Sequence, residues 1–117
     1  MKKLFVLTMI AAVINYSCSK TSYASDDIIG SYQLSKLVVN GQTVNTSDCL
    51  FSNLTLTFTY TELIEQSNCG IRTFNYQILN NNNLIFNNES WIIEDLIQND
   101  YLHLKASSGN NTVELFF

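Results

Sequence analysis

Apolar and polar residues alternate with a period of two through most of the chain beyond residue 29. Leu54, Leu56 and Phe58 alternate with Thr55, Thr57 and Thr59. Phe74, Tyr76 and Ile78 alternate with Asn75 and Gln77, Leu102 and Leu104 flank His103, and Val113, Leu115 and Phe117 share one face. Alternation of this kind puts apolar side chains on one side of a β-strand, and threonine and the aromatics suit a pleated, half-buried surface. Turn residues separate the runs. Asn40-Gly41 is the strongest hairpin signal, because both residues tolerate the positive φ of a type I′ turn. Asn80 to Asn83, Asn87-Asn88, Asn99-Asp100 and Ser108-Gly109-Asn110-Asn111 punctuate the remainder. The pattern predicts eight strands, at 30–39, 52–58, 62–67, 71–79, 84–89, 91–96, 101–106 and 112–117, with a short ninth at 42–45. Short, regularly spaced strands predict an all-β fold, an antiparallel barrel or sandwich. In the first strand Tyr32 and Leu34 share one face while Leu37 and Val39 fall on the other, a phase slip that predicts a bulge or bend.

The start of the chain reads differently. Lys2 and Lys3 precede an eleven-residue apolar run, Leu4 to Ile14, and a short polar stretch then ends at Ser17-Cys18. A positive start, a run too short to span a bilayer and a small residue before the cleavage point make up a secretory signal. A cysteine directly after that point resembles the signal of a bacterial lipoprotein, whose cysteine is lipidated and becomes the first residue of the mature chain. Cys18 is therefore the expected lipidation site. Asn15 stands three positions before it, where such signals usually carry an aliphatic residue, and Ile14 lies one further back. Cleavage after Ala24 competes, with Ser22 and Ala24 as its small residues, but that point lies ten residues beyond the apolar run. A retained anchor would suffer from the same shortness of the run. The expected organisation is a signal peptide over 1–17, a flexible tether over the polar residues 18–28, and a β-barrel domain over 29–117.

Without residues 1–17 one hundred residues remain, enough for one small domain. Lys20, Lys36, Arg72 and Lys105 then face ten carboxylates, a net charge of −6. So acidic a chain offers no footprint for phosphate backbones and little attraction to anionic lipid, so nucleic acid is excluded as a partner and acyl chains are left as the membrane attachment. With Cys18 set aside for lipid, Cys49 and Cys69 remain as a pair in an oxidising compartment. They lack the second close pair of ligands that a zinc site needs, so no metal and no cofactor is expected. Their midpoint, residue 59, falls at the turn between the strands at 52–58 and 62–67, so they would meet across the open end of that hairpin. Closing a loop of this size stabilises a small domain by ~3 kcal/mol.

Several local patterns together resemble the small lipocalin-like lipoproteins of Gram-negative bacteria. Gly30-Ser31-Tyr32 stands where that family often has Gly-x-Trp, and Val39-Asn40-Gly41-Gln42 is similar to its first hairpin. Leu54-Thr55-Leu56-Thr57-Phe58 resembles its second strand, and Ile93-x-x-Leu96 followed by Leu102-x-Leu104 its late strands. The resemblance covers about residues 29–117. Tyr32 replaces the usual Trp, and no helix follows the last strand. The resemblance implies an antiparallel, up-and-down, eight-stranded lipocalin-like barrel on the outer membrane, facing the periplasm or the surface. It implies no shared ligand, because fold does not determine function.

No catalytic pattern occurs, and a non-enzymatic protein is expected. His103 should face solvent between Leu102 and Leu104. Glu94 and Asp95, adjacent on a strand, should point to opposite faces and cannot converge without a bulge. Tyr32, Phe58, Phe74, Tyr76, Phe86, Trp91 and Phe117 could line a barrel interior, while Phe51 and Phe116 break the alternation. An eight-stranded barrel is either filled by its own side chains or holds one small ligand. Two functions follow. One is a monomeric, lipid-anchored barrel that binds a small apolar molecule, with Tyr32, Phe58, Phe74, Tyr76 and Trp91 as the ligand-binding set. The other is a packed barrel acting as a protein-interaction module, such as a periplasmic inhibitor.

Overall fold

The computed structural model describes residues 23–45 and 47–117. The signal peptide, Cys18 and the first part of the tether lie outside the described residues. The chain is all-β, an antiparallel sheet curled into a half-barrel. Its strands are β1 (Gly30–Gln33), β2 (Lys36–Val39), β3 (Gln42–Val44), β4 (Thr55–Phe58), β5 (Glu62–Ser67), β6 (Gly70–Leu79), β7 (Asn83–Phe86), β8 (Glu89–Ile97), β9 (Tyr101–Ser108) and β10 (Asn111–Phe116). The spatial order is β1-β4-β5-β6-β7-β8-β9-β10-β2-β3, so β4 to β10 form a meander in which each strand pairs with the next.

Asparagine shapes the hairpins. Asn40 and Gly41 take φ values of 52° and 81° between β2 and β3, and Asn87 and Asn88 take 52° and 59° between β7 and β8. Two successive left-handed residues make the turn whose twist matches the flanking strands, and asparagine enters that region more readily than other side chains. Because Asn87-Asn88 is the turn, Phe86 pairs with Glu89. The boundary expected around Ser90 accordingly moves to 87–88. The expected strand at 52–58 begins only at Thr55, because Ser52 and Asn53 belong to the preceding turn and Asn53 has φ 55°.

The predicted phase slip falls at Leu34-Ser35, where the first strand breaks into β1 and β2. β1 pairs with β4, whereas β2 pairs with β10 and β3. The two linking residues continue both ladders, with Leu34 N–H donating to the Leu54 carbonyl and Ser35 N–H to that of Phe116. Tyr32 and Leu37 both lie in the core and Leu34 and Val39 pack against it, although they alternate out of phase. Exposed Ser35 and Lys36 absorb the extra residue. One segment thus joins β4, near one end of the strand order, to β10, near the other.

The concave side is lined by Leu54, Leu56, Phe58, Leu63, Leu84, Ile93, Leu102, Leu104 and Leu115, all buried. Burying each large apolar side chain stabilises the fold by about 1.5–3 kcal/mol. Towards one end, Phe58 meets Tyr32 and Tyr76 edge to face, at centroid distances of 5.9 and 5.2 Å. That end is sealed by residues expected to be tether. Ser25–Ile28 forms a 3-10 turn, and Tyr23 and Ile28 are buried, 3% and 0% exposed. The Tyr32 hydroxyl donates to the Ile28 carbonyl and accepts from Asn99 N–H, while Gln98 Nε2 donates to the carbonyls of Asp26 and Ile29. The apolar side chains of Tyr23 and Ile28, isolated in a polar stretch, have a core to enter, so from residue 23 onwards the chain is part of the fold.

Candidate functional site

The opposite end of the half-barrel carries a cavity. The hairpin turns β5–β6, β7–β8 and β9–β10 gather there, and so does the loop between β3 and β4. Asp48 organises that loop: its carboxylate accepts Leu50 N–H, and its carbonyl accepts Phe51 N–H, Ser52 N–H and the Ser52 hydroxyl. The Cys49–Cys69 disulfide, with Cα atoms 5.0 Å apart, ties the loop to the β5–β6 turn. Asn53 Nδ2 donating to Asn68 Oδ1 and Asn68 N–H donating to the Ser52 carbonyl fasten it twice more. The cysteine pairing expected from the sequence is present. Asp48 also lies near both sulfurs, within 4.8 Å, but sulfurs joined to each other are not thiolates, and the cluster is no metal site.

So held, the loop lays Leu50 and Phe51 against a cavity of about 140 Å³, whose walls include Leu54, Leu56, Phe86, Trp91 and Leu115. Glu65, Arg72 and Glu89 line it as well. Glu65 and Arg72 face each other across β5 and β6. Both the Arg72 Nε and Nη2 reach Glu65 Oε1, at 2.8 and 2.6 Å, and the guanidinium lies over the Phe74 ring. Trp91 is 9% exposed, and among the described residues its buried Nε1–H has no acceptor. A buried donor without a partner costs about 1–3 kcal/mol.

No family model matches this chain, and no match was found among curated proteins or solved structures.

The site's chemistry therefore rests on its own geometry. Of the five residues expected to bind ligand, only Trp91 lines the cavity. Tyr32 and Phe58 belong to the packed aromatic row near the sealed end, and Tyr76 adjoins them. Their phenols are occupied by backbone: Tyr32 as described, and Tyr76 donating to the Thr59 carbonyl at 2.5 Å. Burial pushes both phenols above the usual tyrosine range, with Asp26 adding to the effect at Tyr76 and the Asn99 amide opposing it at Tyr32. Phe74 is half-buried against Phe86, at 5.9 Å. The sequence reading missed the aliphatic wall and the loop pair Leu50 and Phe51. Its signals were present, for Phe86 belonged to the aromatic set and Phe51 broke the alternation.

The remaining candidates lie elsewhere. His103 points away from fully buried Leu102 and Leu104, yet it is covered rather than free in solvent. It stacks on Phe116 at 4.0 Å and meets Glu114 at 3.0 Å, while Lys36 sits over the same Phe116 ring. That ring is half-buried by these contacts. The bulge needed to bring Glu94 and Asp95 together does exist, between Ile93 and Asp95. Both residues are nonetheless exposed, and Asp95 accepts the N–H of its neighbour Leu96.

Proposed function

We propose that this protein is a lipid-anchored component of the bacterial cell envelope whose lipocalin-like barrel holds a small apolar ligand. The observation that carries the proposal is the cavity of about 140 Å³ with largely aliphatic and aromatic walls at one end of the sheet. Binding sites are characteristically concave and apolar with a few polar groups. The barrel reading draws on the bent first strand. Counting β1 and β2 as its two halves, and β3 and β4 as one strand interrupted by the Asp48 loop, gives eight strands in up-and-down order with the first beside the last. The anchor reading draws on Cys18 and on Tyr23. Cleavage after Ala24 would remove a buried tyrosine whose N–H donates to the Asn81 carbonyl, whereas cleavage before Cys18 leaves it in place.

Native and intact-mass spectrometry of the protein extracted from membranes of its source tests both parts. The expected result is a chain starting at Cys18 that carries diacylglyceryl and acyl mass, with a small molecule released on activation. A mature chain starting at Ser25 would refute the anchor. A ligand-free barrel that co-purifies with a stoichiometric protein would refute ligand binding in favour of the interaction module.

A further inference from the structure

The sealed end of the half-barrel is also the end at which the chain joins the fold. Tyr23 N–H donates to the Asn81 carbonyl in the β6–β7 turn, and Gln98 of the β8–β9 turn holds the segment that follows. The β4–β5 turn lies beside them, since the Tyr76 hydroxyl donates to the Thr59 carbonyl. At each of these three turns a large apolar side chain faces solvent: Tyr60 is 76% exposed, Ile97 55% and Leu79 43%. Single exposed apolar residues are ordinary, but these three share one end of the molecule. The three turns and residues 23–29 carry no Lys or Arg, while Asp26, Asp95 and Asp100 are exposed close by. Leu50 and Ile71 are exposed at the cavity end, and the tether separates the two ends. Cys18 and Tyr23 are five residues apart, a reach of at most about 18 Å. β6 runs ten residues from one end of the sheet to the other, about 33 Å. With the cavity end against a bilayer, Tyr23 would stand beyond the reach of its own anchor. With the sealed end against it, the reach is ample.

We infer that the sealed end, through Tyr60, Leu79 and Ile97, is a contact surface for the bilayer that holds the anchor, so that the cavity opens away from the lipid. This rests on the lipid-anchor reading above and adds to it the orientation of the domain. Acyl chains already hold the protein on the membrane, so the turns contribute direction rather than affinity. Tyrosine suits the headgroup layer, where its ring is sheltered and its hydroxyl wet, and Leu79 and Ile97 bury hydrocarbon there. The exposed carboxylates are repelled by anionic headgroups, so the surface fits zwitterionic lipid. An occupant of the cavity then exchanges with the aqueous compartment and not with the bilayer.

The acylated mature protein in phosphatidylcholine nanodiscs, doped with a lipid whose head group chelates gadolinium, reports this orientation through the broadening of its amide resonances. The wild-type signals of Tyr60, Asn81 and Asn99 should be lost, while those of Asn68, Ile71 and Asn88 at the cavity end should persist. Tyr60→Ser/Ile97→Ser, still acylated, should regain the lost signals, because the tether alone lets this end move off the surface. Adding phosphatidylglycerol to the wild-type nanodiscs should weaken the broadening. Equal broadening at both ends, or broadening that survives Tyr60→Ser/Ile97→Ser, overturns the inference while the anchor stands. Stronger broadening with phosphatidylglycerol overturns the preference for zwitterionic lipid. Unbroadened turns in nanodiscs that hold two copies would assign the apolar turns to a second copy of the chain and overturn contact with lipid. Protein that lacks acyl mass on Cys18 and does not enter nanodiscs overturns the inference together with the anchor reading.

Discussion

Replacing Gly30 with alanine should be among the most damaging small substitutions in this protein, and the reason is local enough to calculate. Gly30 has φ +144°, a region that L residues avoid, and holding one there costs about 1–3 kcal/mol. A Cβ at this position would lie 2.7 Å from Asn99 Oδ1 and 2.9 Å from the Asn99 Cα and Cβ, well inside the 3.5–4.0 Å or so at which carbons pack. Asn99 is not free to retreat. Its Oδ1 accepts Ser31 N–H at 2.8 Å, and its own N–H donates to the Tyr32 hydroxyl at 3.1 Å. Moving it gives up one or both bonds, each contributing about 0.5–1.5 kcal/mol. The sum is a loss of about 1.5–6 kcal/mol, against a total stability of roughly 5–15 kcal/mol for a domain. Gly41→Ala is the matched control. It also has positive φ, +81°, but nothing lies within 4 Å of its would-be Cβ, so only a backbone cost of about 1–2 kcal/mol applies. Urea unfolding followed by Trp91 fluorescence should rank Gly30→Ala below Gly41→Ala by roughly the one or two hydrogen bonds given up, about 0.5–3 kcal/mol. Equal losses would refute the reasoning, because they would mean that the closeness of Asn99 adds nothing beyond the backbone term.

Two further outcomes follow from the opposite end and from the phenols. Cys49→Ser should lower stability by ~2–4 kcal/mol, and, because the bond pins the loop bearing Leu50 and Phe51, it should also weaken the quenching of Trp91 fluorescence by a small apolar quencher; undiminished quenching would show that the loop is not part of the site. Burial raises the phenol pKa of Tyr32, Tyr76 and Tyr23 above 10.0, so above that pH the unfolded chain releases protons that the folded chain keeps. Stability should be unaffected by these groups below pH 10 and should fall as pH rises through their folded values, measured as urea midpoints against pH; Tyr76→Phe should flatten that fall, and an unchanged slope would sink the assignment.

Much of the architecture was legible along the chain because it depends on neighbours in sequence. Period-two alternation at Leu54, Leu56 and Phe58 marked a strand and its buried face, since adjacent side chains on a pleat point oppositely whatever surrounds them. Asn40-Gly41 and Asn87-Asn88 marked turns because the left-handed backbone is a property of the residues themselves. The cysteine pairing could be read from its symmetry about a hairpin. The phase slip in the first strand announced a bend, but not that its halves would pair with β4 and β10, because strand partners are chosen by how the whole sheet curls and packs. Nor could the sequence show that Tyr23 and Ile28 would plug one end, since two apolar residues in a polar stretch are buried only if a core stands open to them. The aromatic row of Tyr32, Phe58 and Tyr76 read either as a binding wall or as ordinary core, and in the fold its rings meet edge to face with both phenols bound to backbone. The cavity lay instead where Leu54, Leu56, Phe86, Trp91 and Leu115, drawn from four strands and the turn before one of them, meet a disulfide-held loop. Whether a Trp91 N–H finds an acceptor is decided by atoms far away in sequence, and only the folded chain brings those atoms within reach or leaves them out of it.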